Sequence, residues 1–198
     1  DLPGLSITSL DKNFEYRNKI EFSFCDKNFV QKSRKQREQE KLENKEENKE
    51  DLSLAFYERG GRNRIPVTDC KLATKKINKT ANYIFGWIVK KEIPKFSLKS
   101  LVVRSNSAGE TIAALFLKDE LELSDYPKIS GGSKGFQIYY SDHRSPAARP
   151  DKLLYSVGQD YLIEKVSDTK LKYGLLSFFQ INPLIFAETL KDISQFLD

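Results

Sequence analysis

Between residues 16 and 24 the side chains alternate: Ile20, Phe22 and Phe24 fall on one side of an extended backbone, and Arg17, Lys19, Glu21 and Ser23 on the other. Such a segment is a half-buried antiparallel strand, and the rest of the chain must supply its partners and a layer for its apolar face. Residues 52–58 read as the returning strand, stopped by Arg59-Gly60-Gly61-Arg62. After Ile65-Pro66-Val67-Thr68-Asp69-Cys70, a helix is predicted over residues 71–91. Ala73, Ile77, Ala81, Ile84 and Ile88 recur there at helical spacing, with Lys75, Lys79 and Lys90 on the far side. Residues 101–104 and 111–117 form a hairpin across Asn106-Ser107-Ala108-Gly109, and Gly131-Gly132-Ser133-Lys134-Gly135 lacks P-loop spacing and reads as a flexible turn. Strands are expected at 136–140, 152–156, 161–165 and 171–181, with an ordered loop at 142–150. A last helix over 183–197 carries Phe186, Leu190, Ile193 and Leu197 on one stripe and expects something to pack on. The fold class is α+β, a mainly antiparallel sheet with a few flanking helices.

With 198 residues, 39% hydrophobic and 31% charged, the chain suits one domain of ordinary size or a domain with an appendage. It contains no run of about 18 apolar residues and no signal peptide, so a soluble cytoplasmic protein is expected. The chain starts at Asp1 and has no Met anywhere, as an excised segment would, although a cleaved leader would leave the same trace. Cys25 and Cys70 have no partner at zinc-ligand spacing, so neither a disulfide scaffold nor a self-contained zinc site is indicated. The sole histidine, His143, reads as a loop residue.

The formal net charge is +5, which favours polyanions without identifying one. Residues 71–99 hold eight lysines against one acid, whereas residues 31–51 hold seven bases and seven acids. The balanced run is an exposed or disordered insert in a hairpin loop, or a solvated helical arm that could grip RNA. The lysine face of the helix is either simply solvated or an RNA contact. Arg59, Arg62 and Arg64 could meet phosphates, but a Gly-Gly turn needs no ligand.

Near the end of the chain stands Ser177-Phe178-Phe179-Gln180-Ile181-Asn182-Pro183. Extended, it puts Phe178 and Gln180 on one face and Phe179 and Ile181 on a core face. An aromatic beside an amide suits a nucleobase or adenosine. Asn182-Pro183 ends the strand and opens the helix, because Asn caps well and Pro is tolerated at the first helical position.

Four pieces in this order resemble the RNA uracil-5-methyltransferase family, which methylates carbon 5 of uridine in tRNA or rRNA. They are residues 16–24, residues 56–70 with Val67-Thr68-Asp69-Cys70, Val102 to Arg104 with Gly109-Glu110, and the Phe-x-Gln-x-Asn motif at 178–182. The resemblance spans nearly the whole chain except the insert. It implies that Gln180 contacts S-adenosylmethionine and that Phe178 stacks in the base-flipping site, where a new partner offsets the few kcal/mol lost on extrusion. Cys70 matches the last of four cysteines that hold a 4Fe-4S cluster in many members. The other three would lie upstream, so no cluster is expected in this chain. Neither Cys25 nor Cys70 lies in the nucleophile motif, and no Gly-rich cofactor turn is present, so the resemblance implies no catalytic residue here and both features beyond Asp198.

The resulting expectation is a central substrate- and RNA-facing domain over 1–176 and the start of a Rossmann-like methyltransferase domain over 177–198. It is part of a monomeric enzyme on structured RNA, inactive by itself. Candidate RNA contacts are Arg17, Lys19, Arg59, Arg62, Lys75 and Lys79. The alternative is a stand-alone RNA-binding module.

Overall fold

The computed structural model describes residues 9, 12–27, 52–61, 63–129, 131–145 and 148–197. The 31–51 insert and Arg62 lie outside the described residues. A seven-stranded sheet is built from β1 (Lys19–Asp26), β2 (Leu52–Tyr57), β3 (Arg64–Pro66), β4 (Leu98–Ser105), β5 (Thr111–Leu117), β6 (Ser133–Tyr140) and β7 (Lys152–Gly158), in the spatial order β3-β2-β1-β4-β5-β6-β7. A separate hairpin pairs β8 (Tyr161–Val166) with β9 (Thr169–Gly174). The helices are α1 (Lys75–Lys90) and α2 (Pro183–Leu197), so the α+β class holds.

The alternation in β1 works as its pattern dictates. Ile20, Phe22 and Phe24 are buried beneath α1, which lays Ile77, Ala81, Ile84, Trp87 and Ile88 on the same core. Thr74 caps the helix, its hydroxyl accepting from the Ile77 N–H at 3.4 Å. On the other sheet face the β8–β9 hairpin packs Leu162 and Tyr173 against Val102, Ile112, Ala114 and Phe116. Every residue of β5 is buried because both faces are covered.

The main sheet departs from expectation at β6, which starts at Ser133 inside the stretch read as a flexible turn, and in two further features. Strands β5 and β6 pair in parallel, joined by the long connection 118–132, whereas the other ladders are antiparallel. Short β3 forms a sheet edge where a lead-in to the helix was expected; Pro66 is tolerated there because an edge strand can spare its missing donor.

At Gly135, opposite Gly158 in the β6–β7 ladder, a Cβ would sit 1.8 Å from the Gln159 carbonyl oxygen. The obstacle is backbone and cannot rotate away. Gly135→Ala is expected to lose about 2–3 kcal/mol, read as a lower urea midpoint at unchanged m-value. A midpoint equal to wild type would show that this close approach does not matter.

Candidate functional site

The Phe-x-Gln segment does not continue β9. The strand ends at Gly174 in a bend closed by the Gly174 N–H donating to Ser177 Oγ at 3.1 Å, and residues 175–181 lie outside any sheet ladder. The expected strand over 171–181 is therefore shorter than its pattern suggested. The segment is held instead by two buried polar residues of the main sheet region.

Arg104, 1% exposed and the penultimate residue of β4, donates from Nη1 to the Gly174 carbonyl at 2.7 Å and to the Ser177 carbonyl at 2.9 Å. Its guanidinium lies over the Tyr173 ring, 4.9 Å from the centroid, and burial pulls its pKa down. Asn18, 2% exposed just before β1, donates its backbone N–H to the Ile181 carbonyl at 3.0 Å and Nδ2 to the Gln180 carbonyl at 2.9 Å. Between these clamps Phe179 stacks on Tyr173, centroids 4.4 Å apart and 10° from parallel, and meets Phe186 of α2 edge-on.

The side chains thus separate. Phe178 is 87% exposed, and the Gln180 side chain is also exposed, while Phe179 turns inward. Ile181, expected in the core with Phe179, is 38% exposed, because the chain leaves the segment to enter α2 before a second inward position is reached. Asn182 caps α2, its Oδ1 accepting from the Ile185 N–H at 3.4 Å, and Pro183 is the first helical residue.

The same junction gathers some of the basic candidates. Arg17 precedes Asn18 and bridges in parallel to Ala73, with the Thr74 N–H donating to its carbonyl at 3.1 Å, so it sits at the start of α1. Lys19 is half-buried; burial, then the charge of Arg104, pulls its pKa down. Lys75 and Lys79 line a cleft of about 690 Å³ with Phe14, Asp69 and Cys70. Lys75 reaches Glu15 at 3.5 Å, and no acid stands in the first turn of α1. Cations here add to the positive helix end and weaken the helix slightly, so local stability does not account for them. Arg59 lies apart, exposed at the turn after β2.

Cys70 is half-buried, its N–H donating to Asn78 Oδ1 and its carbonyl accepting from Asn78 Nδ2, both at 3.0 Å. Among the described residues no three His, Cys, Asp or Glu side chains gather as metal ligands, so the residues present do not fit an iron–sulfur cluster. Cys25 is a buried thiol whose pKa is pushed up by burial first and by Asp26 second, an inert core residue.

Sequence reasoning missed Asn18 and Arg104 as anchors. Both left a signal: Asn18 is the polar residue at an apolar position of the 16–24 alternation, and Arg104 closes the apolar run Leu101-Val102-Val103.

No family model matches the chain. It is 26% identical over 210 residues to an uncharacterised RNA methyltransferase of Clostridium acetobutylicum, covering 98% of this chain and 42% of that protein. An uncharacterised RNA methyltransferase of Clostridium tetani is 27% identical over 195 residues, covering 90% of this chain and 39% of its own length. In fold, the chain matches the Pyrococcus abyssi tRNA (uracil-54, C5)-methyltransferase, solved with S-adenosyl-L-homocysteine, at a TM-score of 0.69 and 15% identity, covering 93% of this chain and 42% of that one. The chain therefore spans about two-fifths of the length of these proteins. Along nearly its whole length the chain is similar in sequence to these two RNA methyltransferases, and it shares its fold with part of a solved tRNA methyltransferase.

Proposed function

We propose that this chain is the RNA-facing central part of an S-adenosylmethionine-dependent enzyme that forms 5-methyluridine in structured tRNA or rRNA. The observation that carries the reading is the pairing of an exposed Phe178 with an exposed Gln180 on a backbone fixed by Arg104 and Asn18. In this reading Phe178 offers its ring to an extruded uracil, and Gln180 offers its amide to the cofactor. Among the described residues the Gln180 amide makes no hydrogen bond, so its donor and acceptor are open to ribose or amino-acid groups. The residues present therefore fit one wall of a cofactor site; bound there, S-adenosylmethionine would supply the methyl group.

In the same reading Arg17, Lys19, Lys75 and Lys79, together with Arg59 at the turn after β2, are contacts to RNA phosphates. Residues 1–176 form the substrate-facing domain, and residues 177–198 begin the methyltransferase domain. The apolar side chains of α2 support that division: Leu190 is 36%, Ile193 48% and Leu197 81% exposed, a stripe suited to a further packing layer. No helix of the described residues is long and apolar enough to cross a membrane.

Gln180→Ala in the complete enzyme is expected to weaken S-adenosylmethionine binding about 10-fold by calorimetry, the loss of a hydrogen bond or two, while RNA affinity stays within about twofold. Unchanged cofactor affinity would remove Gln180 from the pocket and with it the main support for the reading.

A further inference from the structure

The sheet face that carries the Phe-x-Gln segment is only partly covered. Across β4, β5 and β6 the β8–β9 hairpin lies on it, but toward β1, β2 and β3 it opens into a groove of about 460 Å³. Register puts its residues on one surface. Lys19 stands opposite Arg104, Ser23 opposite Ala55, Tyr57 opposite Arg64, and Ser100 opposite Phe116. Lys19 and Glu21, the first lining residue on β1, are two residues apart, so the groove begins about 7 Å along the strand from the residue paired with Arg104.

Three cations line the groove: Arg64, Lys99 and Lys118. Among the described residues none is within 4.0 Å of a carboxylate; their hydrogen bonds go to neutral groups. Arg64 donates to the Phe24 carbonyl and to the Tyr57 hydroxyl, both at 3.2 Å; Lys99 donates to Ser141 Oγ at 2.7 Å and the Asp142 carbonyl at 2.8 Å; Lys118 donates to the Phe96 carbonyl at 3.0 Å. Glu21 is the acidic side chain on the lining. The Ser100 hydroxyl, 4% exposed, lines the groove without a hydrogen-bond partner, and so does the buried Arg64 Nε. A buried hydroxyl left unpaired is a deficit of roughly 1–3 kcal/mol that a bound acceptor would relieve. Burial lowers the pKa of Lys99, against the pull of Asp151, Asp142 and Glu21, and burial and then the charge of Arg64 lower that of Lys118.

We propose that this groove is an anion site that takes backbone phosphates of the nucleic acid, through Arg64, Lys99, Lys118 and the Ser100 hydroxyl. It is distinct from the lysines at the start of α1 and shares a sheet face with Phe178 and Gln180. The proposal rests on the RNA methyltransferase reading for the identity of the polyanion, whereas the site itself rests on unpaired cations and an unpaired hydroxyl. A strand crossing the face would be gripped in the groove on one side of the segment that presents the aromatic ring, which fixes its register relative to that ring.

The test is filter binding of labelled bulk tRNA by the chain over a salt series, with heparin as a second probe. Lys118→Gln is expected to reduce the slope of log K against log salt by about 0.7–0.9, the double variant Arg64→Gln/Lys118→Gln by about 1.5, and Lys118→Arg to leave it as in wild type. If the double variant does not fold, Lys118→Gln and Lys118→Arg decide the matter. Slopes equal to wild type in the neutralised variants, or absence of tRNA binding by the wild-type chain, overturn the proposal. Heparin bound as tightly as tRNA with the same slope changes overturns the nucleic-acid assignment. Failure here is separable from failure of the cofactor assignment: a groove that binds tRNA survives an unaffected Gln180→Ala, and a Gln180→Ala defect survives an unchanged slope.

Discussion

Arg104→Ala is expected to destabilise the chain by about 3 kcal/mol and to release the segment that bears Phe178 and Gln180. The side chain is 1% exposed, and its Nη1 alone holds the Gly174 and Ser177 carbonyls. Truncation leaves both partly buried carbonyls without their donor, and an unsatisfied buried group costs about 1–3 kcal/mol. Working against this, Arg104 carries the desolvation of its own charge, as its lowered pKa records, so the net loss is smaller than the two penalties added. Arg104→Lys tests the geometry separately. An ammonium can donate twice from one nitrogen as Nη1 does, but on a shorter stem and without a flat group to lie over Tyr173, so about half the loss is expected. Urea unfolding gives the stability, and amide exchange over residues 175–181 gives the release. A loss below about 1 kcal/mol with unchanged exchange would show that the clamp is incidental.

That clamp also marks where the sequence was legible and where it was not. The face of β1 and the stripe of α1 could be read because each has water on one side, and a side chain's polarity then reports its direction: Ile20, Phe22 and Phe24 went in, and Lys75, Lys79 and Lys90 stayed out. Strand β5 is covered on both faces, so its run of buried residues gives no alternation from which to tell a parallel neighbour from an antiparallel one. Edge strand β3 has three residues, one of them Pro, below the length at which a pattern exists. The end of β9 depends on one serine hydroxyl that turns the chain at Gly174 and on an arginine about 70 residues away, neither of which alters local periodicity. The candidate segment was legible as residue types, with Phe178 and Gln180 outward and Phe179 inward. What fixes them was not, because Asn18 and Arg104 act through backbone carbonyls, whose positions a sequence does not encode.

The two adjacent phenylalanines should respond in opposite ways to the same substitution. Phe179 is stacked on Tyr173 at 4.4 Å and abuts Phe186 at 6.0 Å, so Phe179→Ala removes the aromatic link between β9 and α2. A loss of about 2–3 kcal/mol is expected, less than for a fully enclosed ring because Phe179 is only half-buried. Phe178, 87% exposed, has little folded environment to lose, and Phe178→Ala should change stability by no more than about 0.5 kcal/mol. If Phe178 receives the extruded uracil, the same variant of the complete enzyme forfeits base–aromatic stacking worth about 1–3 kcal/mol, a roughly 5- to 150-fold fall in kcat/KM for RNA. Phe178→Tyr retains a π face and should restore most of it, which a role in shape or solubility alone would not require. Full methyl transfer by the Phe178→Ala enzyme would leave that ring without the function proposed for it. A large stability loss would instead mean that Phe178 packs within the complete enzyme, a different role for the same exposed face.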